Sequence, residues 1–403
     1  MANRLISPSL ADLDQDIAGA IPLDIILRWS MGKKDKETHS SILSPFTVKG
    51  TVVSSDSAGL SKLTQDRSLL EVMKLVSEPK EVIFNYGRAI GGTHVGIWAA
   101  DNTEMFYADS IDPTDVLHHM IAAQKDIRGL TVHIGLGFHF GEFIQIGGGL
   151  FGKEADIVED LAENYTEGGE IAFTGAFQKK IKKDFQQALV KKEIAELKGI
   201  FYSLEYENFA HKASRSGQYH YPYPFTKDFF QFIRSYPKTK GANTFDKYAK
   251  EKVVILVKVI HARKKFLLDE LAHWLLANTI LKKITVLTEI EEIKSNGSLG
   301  IFVTDNVSQA IEFASDLKDT MAANGYVANV GISKGEVLIF PLDQGGKEIA
   351  GGPVNIASKL AEDSDEKGKV MIEDTVNVTG KISVPVEKFQ IKLSAVELNG
   401  VKF

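Results

Sequence analysis

Apolar residues along positions 8–31 recur at helical spacing, and Gly32 with the lysines after it closes the run, so a helix is expected there. After a polar loop, Gly50–Ser55 reads as a strand, followed by Asp56–Ser61 and a helical stretch to about residue 86. Alternation through His94–Trp98 predicts a second strand, residues 100–102 a break, and Met105–Ala108 a third strand. Residues 113–127 carry a helical pattern, and 130–146 read as a strand hairpin turning near Gly141. The resulting βααββαβ order predicts an α+β sandwich of ferredoxin-like βαββαβ type.

The pattern then repeats. IAELKGIF at 194–201 matches AVELNGVK at 395–402, and VHIGLGFHFGEF at 132–143 parallels VANVGISKGEV at 327–337. FGKEADIVEDL, from residue 151, parallels AGGPVNIASKL, from residue 350. Two copies of one fold are expected, at 49–207 and 251–403, preceded by a helical segment over 1–48. Residues 208–250 read as a linker, stiffened by Tyr219-His220-Tyr221-Pro222-Tyr223-Pro224-Phe225 and packed on a domain.

Composition narrows the function. The chain has 403 residues, enough for two domains with sizeable cores, and its 44% apolar and 25% charged residues are those of a globular protein. A net charge of −6 offers no basic footprint for nucleic acid, so a small-molecule ligand is expected. There is no cysteine, and hence no thiolate chemistry or disulfide framework. No signal-type apolar core opens the sequence and the run at Val253–Val257 is too short to span a bilayer, so no membrane partner and a cytoplasmic location are expected.

Three stretches carry candidate chemistry. Ser55–Ser61 lies where a strand meets a helix, which leaves backbone N–H groups for an anion. Asp101 follows Asp56 at a hairpin-like break, and adjacent antiparallel strands bring two such carboxylates side by side, an arrangement that calls for a cation between them. At 351–360, Pro353 suits a first helical turn, Val354, Ala357 and Leu360 share one face, and Asn355 and Lys359, four apart, project together. A decoy is present too. Gly147–Glu154 has phosphate-loop spacing, but Glu154 stands where a Ser or Thr would hold magnesium.

The run Val354-Asn355-Ile356-Ala357-Ser358-Lys359-Leu360 resembles the Val-Asn-x-Ala-x-Arg-Leu signature of class III nucleotidyl cyclases. Asp56 and Asp101 resemble that family's two metal-binding aspartates, with Leu60 in place of Phe and Ala100 in place of Gly. The second copy has Lys258 and Ser298 at the matching points, while the first copy has Asp156 and Asp160 where the second has Asn355 and Lys359. Such complementary loss resembles the fused heterodimeric core of mammalian-type adenylyl cyclases, which implies two cyclase domains packed as an intramolecular pseudodimer, compatible with a monomer. The resemblance implies two Mg²⁺ or Mn²⁺ ions held by Asp56 and Asp101 with Ser57, terminal phosphates on the loop Ala58, Gly59, Leu60 and Ser61, and Asn355 and Lys359 as catalytic groups.

Lys294, three before the Gly-Ser turn, and Glu348, seven before Asn355, match the family's base-selecting residues. The implied activity converts a nucleoside triphosphate to a 3′,5′-cyclic nucleotide and pyrophosphate, the product being read by a cyclic-nucleotide receptor. Glu348 is one methylene longer than the Asp of adenylyl cyclases, about 1.5 Å of extra reach. The longer arm favours a pyrimidine, UTP or CTP, as in bacterial anti-phage pyrimidine cyclases, with ATP the alternative. Lys359 for Arg, and Glu142 where related heterodimers carry Arg, leave a catalytically dead nucleotide-binding regulator as the rival reading.

Overall fold

The computed structural model describes residues 22–58, 67, 69–96, 98, 102–209, 213, 225–235, 248–260, 264–286, 288, 290–296, 298–343, 345–364, 366–376, 378, 385–393 and 396–403. The chain divides into two compact units. One spans Lys33–Pro224; the other joins Ala20–Gly32 to Phe225–Phe403. Among the described residues no helix is long and apolar enough to cross a membrane.

The helix expected to end at Gly32 is seen over Leu23–Met31 (α1), and its earlier part lies outside the described residues. It belongs to the second unit. Trp29, fully buried, donates Nε1–H to Asp269 Oδ1 at 2.7 Å and meets the edge of Phe266 at 5.3 Å.

In the first unit come α2 (Lys36–Leu43), β1 (Thr47–Ser57), α3 (Leu69–Ala89), β2 (Thr93–Val95), β3 (Thr103–Ala108) and α4 (Pro113–Ile127). Then follow β4 (Ile134–Ile146), β5 (Gly149–Phe151), α5 (Lys153–Tyr165), β6 (Ile171–Thr174), β7 (Leu189–Lys192) and β8 (Phe201–Leu204). The sheet order is β2-β3-β1-β4-β6-β8-β7, with β5 paired to β4 alone. Its β4-β1-β3-β2 portion, antiparallel throughout, is the ferredoxin-like arrangement. Helix α4 starts as the sequence dictates, because the Asp112 carboxylate accepts the Thr114 N–H and Pro113 needs no partner in the first turn.

The hairpin expected near Gly141 is not there. Residues 134–146 form one strand that runs through Gly141, paired with Gly50 of β1, and the Glu154 carboxylate lies over the open position at Gly141. The chain turns instead at Gly147 and Gly148, whose φ angles of 62° and 90° suit a two-residue hairpin between Ile146 and Gly149. The strand expected at His94–Trp98 ends at Val95, since Gly96 takes a positive φ of 68°.

The second unit holds α6 (Lys227–Ser235), β9 (Ala249–Ile260), α7 (Leu267–Val286), β10 (Glu291–Asn296), β11 (Leu299–Thr304) and α8 (Val307–Ala323). It continues with β12 (Val327–Pro341), β13 (Lys347–Ala350), α9 (Gly352–Ser358), β14 (Val370–Glu373), β15 (Glu387–Leu393) and β16 (Val396–Lys402). Its order, β10-β11-β9-β12-β14-β16-β15 with β13 on β12, repeats that of the first unit. Tyr219–Pro224 lie outside the described residues. Phe225 does pack on the fold, 5.2 Å from Phe340, and Phe229 of α6 stacks on Phe340 at 4.4 Å.

Register aligns the two units residue by residue. The parallel pair β4–β6 begins at Leu136, opposite Ser55 on β1; the pair β12–β14 begins at Val330, opposite Val257 on β9. Ser55 and Val257 are thus equivalent. Glycines occupy the next position, Gly137 and Gly331, because a Cβ would press on the helix crossing above: on Val158 O at 3.0 Å in one unit and on Ala357 O at 2.0 Å in the other.

Candidate functional site

In the first unit, Asp56 is half-buried near the end of β1, opposite Gly135. The neighbouring strand is antiparallel β3, as the expected pairing of aspartates requires, and Ser55 Oγ lies 2.6 Å from Thr103 Oγ1. Asp101, Gly59, Leu60 and Ser61 lie outside the described residues. Two expectations need correction. Side chains alternate along a strand, so the buried Ser57 hydroxyl lies on the face opposite Asp56 and does not join it around a cation. The Ala58 N–H donates to the His133 carbonyl at 3.0 Å and is not available to a phosphate.

The sequence reading missed Glu104. It is half-buried directly opposite Ser54, on the face that Asp56 shares by alternation. Strand alternation after Asn102 was the available signal. Carboxylate donors of this kind suit a hard cation such as Mg²⁺ or Mn²⁺. Among the described residues, no three His, Asp or Glu side chains converge as a metal site.

Helix α5 crosses this face. Its Glu154 accepts the Glu142 N–H at 2.5 Å and lies 3.6 Å from Nε2 of buried His139, whose Nδ1 meets Thr174 Oγ1 at 2.8 Å. Burial pushes the His139 imidazole below its ordinary value, against the opposing pull of Glu154. The decoy loop is accounted for as well: Gly147 and Gly148 make the hairpin, and exposed Lys153 opens α5.

In the second unit, the position equivalent to Asp56 is Lys258, whose Nζ lies 3.8 Å from Glu362 Oε2. The helix expected at 351–360 is present. Gly351 opens it at φ 150°, Pro353 sits in the first turn, Ala357 is fully buried in a cluster on which Val354 packs, and Leu360 is fully buried in a separate one with Met371 and Phe389. Asn355 is exposed and Lys359 half-buried one turn later, its N–H donating to the Asn355 carbonyl. From Lys359 to Asp363 the helix widens to π geometry, a form that often marks functional sites, and Lys359 Nζ lies 3.5 Å from Asp363 Oδ2. In the first unit α5 begins after Gly152, also at positive φ, which aligns Asp156 with Asn355 and Asp160 with Lys359.

Lys294 and Glu348, 54 residues apart, are brought together. Lys294 Nζ donates to Glu348 Oε2 at 2.8 Å, with the two side chains 20% and 11% exposed. The other carboxylate oxygen takes the Ile349 N–H at 3.0 Å. A register shift between Glu292 and Lys294 re-aims β10 at this point, as bulges beside sites do. Across β12, Glu348 pairs with Phe340, the ring stacked on Phe229. A donor and an acceptor on one half-buried edge can read a planar ring carrying complementary groups.

No family model matches the chain, and no curated protein matches it. Among solved structures, it is similar to a class III adenylyl cyclase-like ATP-binding protein from Pseudomonas aeruginosa. The two share 11% identity, with 82% of this chain and 84% of that one covered and a TM-score of 0.48. An adenylate/guanylate cyclase/hydrolase from Silicibacter pomeroyi matches with 17% identity over 38% of this chain and 96% of its own, at a TM-score of 0.33. The adenylyl cyclase CyaB from P. aeruginosa matches with 15% identity over 39% of this chain and 94% of its own, at 0.32. The guanylyl cyclase Cya2 is also among the solved structures to which this chain is similar.

Proposed function

We propose that the chain is a nucleotidyl cyclase that converts a nucleoside triphosphate to a 3′,5′-cyclic nucleotide and pyrophosphate, with a pyrimidine triphosphate, UTP or CTP, as the preferred substrate. The observation that carries this reading is the opposition of chemistry at equivalent positions. Asp56 stands against Lys258, and Asp156 and Asp160 stand against Asn355 and Lys359. The first unit keeps a carboxylate suited to a cation, and the second keeps an amide and an ammonium suited to phosphate.

Asp56 and Asp101 would hold two Mg²⁺ or Mn²⁺ ions, which supply Lewis acidity toward the ribose 3′-hydroxyl and the triphosphate. Asn355 orients the ribose through its amide. Lys359 neutralises charge developing on the α-phosphate, a contribution worth about a hundredfold in rate. Lys294 and Glu348 read the base edge: the ammonium donates to a ring nitrogen or carbonyl, and the carboxylate accepts an amino or ring N–H. Cytosine, uracil and adenine each satisfy that pair, and the longer arm of Glu348 favours the smaller ring. The product would be read by a cyclic-nucleotide receptor, a chemistry in keeping with anti-phage defence in a bacterial cytoplasm. ATP as substrate is the alternative within this activity.

A second reading, a nucleotide-binding regulator without turnover, is favoured by one observation. Lys359 and Lys294 already face acidic partners, Asp363 and Glu348. Incubation of the purified chain with each ribonucleoside triphosphate and Mn²⁺ or Mg²⁺, with products identified by mass, separates the two. Cyclic product from wild type, lost in Asp56→Ala and kept in Lys258→Ala, supports the cyclase. Nucleotide binding with no product from any of the four supports the regulator.

A further inference from the structure

Ser295, the residue after Lys294, is 5% exposed, and its hydroxyl donates to Oδ1 of Asn278 on α7 at 2.7 Å; Asn278 is 3% exposed. A buried amide is costly unless its hydrogen bonds are made, so a core helix gains little from carrying Asn here unless the contact serves geometry. Successive residues on a strand point to opposite faces. Ser295 is therefore held on the α7 side while Lys294 points away, toward Glu348. The hold lies immediately past the register shift between Glu292 and Lys294, where the regular pairing of β10 with β11 is interrupted.

The first unit carries a buried polar tie at a different place. By register Gly300 aligns with Thr103 and Ile301 with Glu104, so Lys294 aligns with Val95 and Ser295 with Gly96. Lys80 of α3, 4% exposed, donates Nζ–H to the Trp98 carbonyl at 2.9 Å, in the turn beyond Gly96 and not on the strand.

We infer that Asn278, acting through Ser295, is a positioning residue that sets Lys294 against Glu348 and so fixes the edge with which the chain reads a base. The base-reading part rests on the proposed function; the positioning part does not. The test compares Asn278→Leu and Ser295→Ala, which remove the tie, with Ser295→Thr, which keeps a hydroxyl on a residue suited to a strand.

The first readout is the coupling between Lys294 and Glu348, measured by double-mutant cycles of unfolding in each background. We expect it to fall to about half or less of its wild-type value in Asn278→Leu and Ser295→Ala and to persist in Ser295→Thr. Unchanged coupling in both disrupting variants overturns the inference, even if they are less stable overall. The second readout is turnover. KM should rise about tenfold with kcat nearly kept, and preference among the four bases should flatten. Lost coupling with KM and base preference intact leaves the positioning role standing and refutes the assignment of Lys294 to base reading.

Discussion

The Lys294–Glu348 pair can be tested as a quantity. Truncating Lys294 to Ala strands the Glu348 carboxylate, whose side chain is 11% exposed in the intact pair, with the Ile349 N–H on one oxygen, and truncating Glu348 strands an ammonium whose side chain is 20% exposed in that pair. Exposed ion pairs contribute roughly 0.2–1 kcal/mol. Breaking a fully buried one costs about 3–5 kcal/mol, because the surviving charge is stranded. With side chains 20% and 11% exposed the pair lies nearer the buried limit, so about 2 kcal/mol is expected for each single variant. The double variant strands no charge and should cost clearly less than the sum, giving a coupling of about 2 kcal/mol. For a unit of this size that is a fall of about 4–8 °C in the midpoint of each single variant. Calorimetry of the four proteins closes the cycle, and repeating it at high salt should reduce the coupling only slightly, since a half-buried pair is weakly screened. Additive single variants, with coupling below about 0.5 kcal/mol, would refute the burial argument.

Three further outcomes follow from packing and titration. Gly331→Ala places a Cβ 2.0 Å from the Ala357 carbonyl oxygen and should cost about 3 kcal/mol in urea unfolding, whereas Gly352→Ala, with nothing within 4 Å, should be neutral or slightly stabilising. Equal effects would contradict the seating of α9 on β12. Because burial holds His139 below its ordinary value of 6.5, the folded chain binds fewer protons than the unfolded chain between that lowered value and 6.5. The stability difference is therefore fully present above pH 6.5 and lost as pH falls through the window; His139→Gln should flatten the loss between pH 7.5 and 5.5, and parallel curves would exclude His139 as its source. Trp29→Ala should cost about 3–5 kcal/mol, and hydrogen exchange should rise in the unit containing α7, not in the one containing β1.

Much of the fold is written locally. The cap Asp112-Pro113 marks the start of α4, and Gly351 with Pro353 marks α9, because a capping carboxylate, a proline of fixed φ and a glycine free to take positive φ act without tertiary help. Gly141 misleads for a physical reason: a strand glycine signals either a turn or a continuing strand, and only the unbroken pairing with β1 on both sides of it decides which. The docking of α1 on α7 across 240 residues has no local signature, since Trp29 reads equally well as the apolar stripe of a free-standing N-terminal helix. Of the candidate site, the helix bearing Asn355 and Lys359 is legible from spacing, and the Lys294–Glu348 pair only from family resemblance. The face of Ser57 follows from alternation alone. Asn278 and Lys80 are invisible in sequence, where a polar residue inside an apolar helix reads as its solvent edge.

What the two units share and what they do not have different causes. Gly137 and Gly331, and Gly152 and Gly351, recur at equivalent positions because a Cβ or a negative φ at each would collide with the crossing helix or misdirect its start. Such positions are fixed by packing whatever the unit does. Asp56 and Lys258, His139 and Ser333, and Thr174 and Glu373 are equivalent by the same register and differ in charge or chemistry. Even so, the local contact survives in changed form: His139 meets Thr174, and the Ser333 hydroxyl meets Glu373. A fold that tolerates either chemistry at a position does not dictate the one it has. The charges on the face crossed by α5 and α9 therefore answer to something other than folding, and the equivalent residue in the other unit is the natural control for every substitution made there.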